Sequence, residues 1–94
     1  LPDESESHAL LAGIRQRQDR WNEAVHHWRQ VIRIRTMEPT GYQGLATALI
    51  HQKQWKEAVA TINALKQRDW PERFGNVRGS AATLLRQVPD ADRE

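Results

Sequence analysis

The chain has 94 residues, 38% of them hydrophobic and 28% charged, with a formal net charge of +2 and no cysteine. That length suits one domain and is too short for two, and the apolar fraction is too high for a disordered tail. The missing cysteines exclude a disulfide scaffold and a thiolate metal site, and they fit a reducing, cytoplasmic setting.

The longest uncharged run, Pro39 to Gln52, contains Pro, Gly and several polar residues, and it falls short of the ~20 apolar residues a membrane span needs. No signal peptide is visible, and a start at Leu1 suggests a processed protein or an excised domain. Charge is uneven along the chain. Arg15, Arg17, Arg20, Arg29, Arg33 and Arg35 crowd the stretch up to residue 35, against Asp19 and Glu23. Asp3, Glu4 and Glu6 make one end acidic, and Asp90, Asp92 and Glu94 the other.

Taken in chain order, the first apolar stripe is short: Ala9, Leu11, Ala12 and Ile14 between His8 and Arg17. A longer one follows from Trp21 to Ile34, where Trp21, Ala24, Val25, Trp28, Val31 and Ile32 recur at helical spacing. Glu38-Pro39 places proline in the first turn of a third helix, which carries Tyr42, Leu45, Ala46 and Leu49 on one face. Trp55, Ala58, Val59, Ile62 and Leu65 define a fourth. Asp69-Trp70-Pro71-Glu72 starts a fifth, expected over residues 71–88, with Asp69 as its N-cap. No stretch alternates as a strand does, so the expected class is all-α with about five helices.

An internal repeat runs through this pattern. Trp21-Asn22-Glu23-Ala24-Val25 returns as Trp55-Lys56-Glu57-Ala58-Val59, 34 residues later, and Leu11-Ala12 returns as Leu45-Ala46 in the same register. Val77, Ser80, Ala81 and Leu84 match Tyr42, Leu45, Ala46 and Leu49 once one residue is inserted. With these residues the sequence resembles the tetratricopeptide-repeat family over roughly residues 5–88. The large-then-small pairs Leu11-Ala12 and Leu45-Ala46, the small crossing residues Ala24 and Ala58, and the aromatics Trp21 and Trp55 stand where that family has them.

The resemblance implies an α-solenoid of antiparallel helix pairs wound into a right-handed superhelix. The whole chain, 1–94, is then one domain: repeat one about 5–38, repeat two about 39–70, a capping helix about 71–88 and an acidic tail 89–94. Two repeats and a cap are fewer than the roughly three repeats usually needed for self-sufficiency, so self-association or membership of a longer protein is expected. Asp19 and Lys53 replace the family's turn glycine, which predicts a different turn geometry, and His8 replaces an aromatic or apolar residue, which predicts a fraying first turn.

In the family, ligands lie in the groove lined by the first helix of each repeat. The resemblance therefore nominates Gln16 and Arg17, with Ala9 and Gly13, from the first unit. It nominates Gln43, Thr47 and His51, with Ile50, from the second, and Arg78 and Arg86, with Ala82 and Leu85, from the cap. Such a groove implies a protein or peptide partner, an acidic one above all. The clamp of lysines and asparagines by which chaperone-binding members hold a terminal carboxylate is absent, since Ala9, Gly13, Gln43 and Thr47 stand in its places. Two repeats would read only about two bases in the manner of the RNA-binding pentatricopeptide repeats, which argues against a nucleic-acid partner.

Other features read as structure. Trp21, Trp28 and Trp55 fall on core stripes, and Trp70 either staples the entry to the last helix or stands out as an anchor for a partner. His26, Arg29 and Arg33 form a stripe expected to face solvent. His26 and His27 are adjacent, so they project about 100° apart on a helix and cannot share a metal. Gly41, Gly44, Gly75 and Gly79 form no phosphate loop, and Ser5, Ser7 and Ser80 have no recognisable base. The expectation is a binding module with no enzymatic activity, metal or cofactor. The alternative is a non-catalytic appendage of a larger enzyme, since the tryptophan-rich repeats are similar to those of bacterial glycosyltransferases and sulfotransferases, or a homodimerising scaffold.

Overall fold

A computed structural model describes residues 4–93; Leu1, Asp3 and Glu94, used above, lie outside the described residues. Five α-helices make up the fold: α1 Glu4–Arg17, α2 Trp21–Ile34, α3 Thr40–His51, α4 Trp55–Gln67 and α5 Val77–Arg86. Single 3-10 turns lie at Glu72–Phe74 and Asp90–Asp92, and among the described residues there is no strand. Each helix packs on its neighbours in sequence, and α3 also touches α5. No helix is long and apolar enough to cross a membrane.

The helices close on small side chains. Ala12, Ala24, Ala46, Ala58 and Ala81, one from each helix, have no exposed surface. Closely packed helices need a small residue where the neighbouring ridge crosses, and a methyl group meets that need without breaking the helix. Around these contacts Leu49, Ile62, Leu65 and Val88 form the most buried part of the core. Trp21, Trp28 and Trp55 are only half-buried and lean on that core from its margin. Gly44 explains how Trp28 reaches α3, since a Cβ there would lie 2.3 Å from the indole Cε2. The Trp28 Nε1–H then donates to Gln16 Oε1 at 2.6 Å, joining three helices through one side chain.

The two tight turns share one geometry. Asp19 and Lys53 both have φ of 58°, the left-handed conformation that favours glycine. Arg20 N–H donates to Arg15 O and Asp19 N–H to Gln16 O, at 2.8 and 3.1 Å. Gln54 to Leu49 and Lys53 to Ile50 repeat the pattern at 2.9 and 3.0 Å. The bonding that closes α1 and α3 carries the non-glycine residue into a region that costs it roughly 1–2 kcal/mol.

The segment before α5 corrects one expectation. The fifth helix runs from 77 to 86, not 71 to 88, because the chain is extended at Pro71 (ψ 142°) and left-handed at Gly75 (φ 74°). Its N-cap is Asn76, whose side chain accepts from Gly79 N–H at 2.9 Å; Asp69 is exposed and caps nothing there. Pro39 is likewise the residue before α3 rather than within its first turn. The first helix starts at Glu4, so His8 lies in its second turn. Beyond α5, Val88 is 1% exposed, and the Arg93 guanidinium donates to Val88 O and Arg86 O at 2.8 and 3.2 Å. The acidic stretch is therefore folded back, with its last turn against α4.

Candidate functional site

Where α3 and α5 meet, they leave a groove of about 540 Å³ lined by Gln43, Thr47, Asn76, Gly79, Ser80, Thr83 and Leu84. No ionisable side chain is among them. The amino-acid choice follows from the helices: α3 turns Tyr42, Leu45, Ala46 and Leu49 into the core, which leaves Gln43 and Thr47 beside it, one helical turn apart.

The polar groups of the groove are partly engaged. Thr47 Oγ1 donates to Gln43 O at 2.9 Å and Thr83 Oγ1 to Gly79 O at 3.0 Å, each hydroxyl bonding back to its own helix. Asn76 Oδ1 holds Gly79 N–H. A hydroxyl whose proton is so engaged still offers its oxygen lone pairs, and the Gln43 amide and the Asn76 Nδ2 add donors. The groove therefore presents neutral acceptors and donors in the mixture that a peptide backbone matches.

The nominated residues are placed unevenly. Gln43 and Thr47 line the groove. Gln16 is tied to the Trp28 indole, and Arg17 is exposed with its Nε donating to Gly13 O at 3.3 Å. His51 stacks on Trp21 at 4.0 Å between ring centroids, nearly parallel. Arg86 is exposed, and its carbonyl receives Arg93. Arg78 lines a separate recess of about 230 Å³ with Arg68, Asp69, Trp70, Gly75, Asn76 and Val77. Ile50 is 8% exposed and belongs to the core.

Asn76, Gly79, Ser80, Thr83 and Leu84 line the groove but are not nominated by the sequence alignment. Equivalent positions on successive helices point the same way, so alignment with Gln43 and Thr47 selects Arg78 and Ala82. The wall facing α3 is a different edge of α5. The small polar run Gly79-Ser80-Ala81-Ala82-Thr83 was the available signal.

At the other end of α4, Trp70 Nε1–H donates to Leu65 O at 2.9 Å, and its ring lies 5.7 Å from that of Tyr42. Arg68 sits over both rings, at 5.2 and 5.7 Å, and donates to Thr36 O at 2.9 Å. Trp70 thus closes the end of α4. On the outer stripe Arg29 pairs with Glu57 at 2.7 Å, linking α2 to α4. Among the described residues no three His, Asp or Glu side chains converge where a metal ion could sit.

In comparisons with protein-family models, curated proteins and solved structures, the chain matches none.

Proposed function

We propose that the chain is a tetratricopeptide-like interaction module that binds an extended stretch of polypeptide in the groove between α3 and α5. The observation that carries this reading is the groove: open, free of ionisable side chains, and lined by neutral donors and acceptors spaced along two helices. Main-chain amides and carbonyls of a bound strand find partners there without desolvating a charge, which makes backbone recognition favourable.

The solenoid arrangement belongs to the same reading. It is supported by the 34-residue recurrence, by turns of one geometry at Asp19 and Lys53, by neighbour-on-neighbour packing and by the contact of α3 with α5. Packing of each unit on its neighbours is what a stack of helix pairs requires. The acidic preference expected from the arginines is kept for residues flanking the bound segment, at the recess where Arg68 and Arg78 stand with Asp69, whose carboxylate lies 3.9 Å from Arg78. The cysteine-free sequence suits a cytoplasmic module.

Selection from a random displayed peptide library tests the reading. Peptides enriched on the chain are expected to bind the groove-filling variant Thr83→Trp at least tenfold more weakly, and to bind Arg33→Ala, on the outer face, unchanged. Peptides indifferent to Thr83→Trp would place the site elsewhere, and a library that yields none would remove the proposal.

A further inference from the structure

His8 in α1 and His27 in α2 meet with Nδ1 to Nδ1 at 3.0 Å, and both side chains are half-buried. A neutral imidazole carries one N–H. The contact is therefore a hydrogen bond only if one ring bears its proton on Nδ1 and the other bears it on Nε2. With one of the two rings doubly protonated the bond survives, because the neutral ring can still accept. With both doubly protonated, each Nδ1 is a donor, the bond is gone, and two cations face each other at contact distance.

The surroundings make that second protonation costly. From α1, Arg15 faces the pair; from α2, the ring of His26 lies 5.4 Å from that of His27, edge-on. Among the groups acting on His27 the opposing charge is Glu23, which is held by Arg15 at 3.2 Å and by Arg20 at 2.6 Å, and Glu4 stands one helical turn before His8 on α1. The only ionisable side chains of α3, which packs on α2, are Tyr42 and His51, and His51 is stacked on Trp21. Burial, then the charges of His8, His26 and Arg15, hold His27 below the ordinary imidazole range, with Glu23 opposing them.

The helix tied by this contact is the one least held by the core. Within α1 only Ser5 and Ala12 are buried, against seven buried residues in α3, and α1 packs principally on α2. Leu10 of α1 is 63% exposed. The polar contacts that tie α1 to α2, His8–His27 beside Gln16–Trp28 and Arg15–Glu23, therefore matter more there than they would in the middle of the fold.

We propose that the His8–His27 pair is an acid-sensitive latch: one bridging proton ties α1 to α2, and full protonation of both rings on mild acidification releases α1. The unfolded or detached His27 takes up its proton near 6.5, the ordinary imidazole value, whereas the docked one resists until lower pH. In that window the open form binds more protons than the closed form. Docking of α1 is then complete above about pH 6.5 and weakens as pH falls.

Amide hydrogen exchange on the full chain at pH 7.5 and 5.5, corrected for intrinsic rates, reads this directly. Exchange in α1 is expected to accelerate at least tenfold at pH 5.5 while α4 and α5 keep their protection. In the double variant His8→Gln, His27→Gln, whose amides can still pair and do not titrate, α1 is expected to exchange equally at both pH values. Unchanged α1 protection in the parent chain, or the same acceleration in the variant, would overturn the latch. If the variant loses its helical signal at pH 7.5, imidazole 15N shifts of the parent chain decide. Charging of the His27 ring delayed below pH 6.5 supports the coupling, and an ordinary titration of that ring refutes it.

Discussion

Asp19 and Lys53, 34 residues apart in the chain, hold the same left-handed φ of 58° and close their helices with the same pair of backbone bonds. Neither is a glycine, so both turns carry backbone strain that a single substitution relieves. Asp19→Gly and Lys53→Gly are each expected to raise stability by up to about 1 kcal/mol, the left-handed penalty less glycine's greater unfolded freedom. Urea denaturation of each variant checks this. A loss of stability in both would mean that the side chains contribute more than the backbone strain removes.

Gly44→Ala places a methyl group inside the volume of the Trp28 indole and is expected to cost about 1–3 kcal/mol. Combining it with Trp28→Leu, which clears the space, should recover part of that loss, so the two effects should not add. Thermal unfolding of the single and double variants distinguishes this from a general intolerance of α3 to change.

Much of this packing can be read in the residue order. Trp21 to Ile34 matches the second apolar stripe at both ends, and the alanines picked out by the repeat, Ala12, Ala24, Ala46 and Ala58, are all fully buried. The spacing of apolar residues reports which face of a helix is covered, and an exact recurrence doubles the signal. Partnership across helices is not encoded in that spacing. His8 meets His27 from 19 residues away because of how α1 crosses α2. The edge of α5 beside Thr47 follows a helix start at Val77, after Gly75 and the Asn76 cap, that the repeat register does not place. Local chemistry there, a proline, a left-handed glycine and an asparagine cap, outweighed the alignment.

Besides lining the groove, Asn76 has a local role that can be measured. Its side-chain oxygen satisfies Gly79 N–H, one of the free donors at the start of α5. Asn76→Ala is expected to cost about 1 kcal/mol, while Asn76→Asp should be nearly neutral, since aspartate caps as well and its charge suits the helix N-terminus. Equal losses in the two variants would show that the amide nitrogen, not the cap, is what the position requires.

Arg29 and Glu57 bridge α2 and α4, but both side chains are more than half exposed. Solvent screening limits such a pair to about 1 kcal/mol or less, so Glu57→Gln should lower stability by well under that amount, and added salt should shrink the difference further. A loss above ~2 kcal/mol, found by denaturation at low and high ionic strength, would mark the pair as part of a larger network.

Chemical-shift mapping of a library-selected peptide on the 15N-labelled chain tests the groove most directly. Binding between α3 and α5 predicts the largest amide perturbations at Gln43, Thr47, Gly79, Ser80 and Thr83, with α2 nearly silent. Perturbations concentrated instead around Arg29, Arg33 and Lys56, with those five amides unmoved, would contradict it.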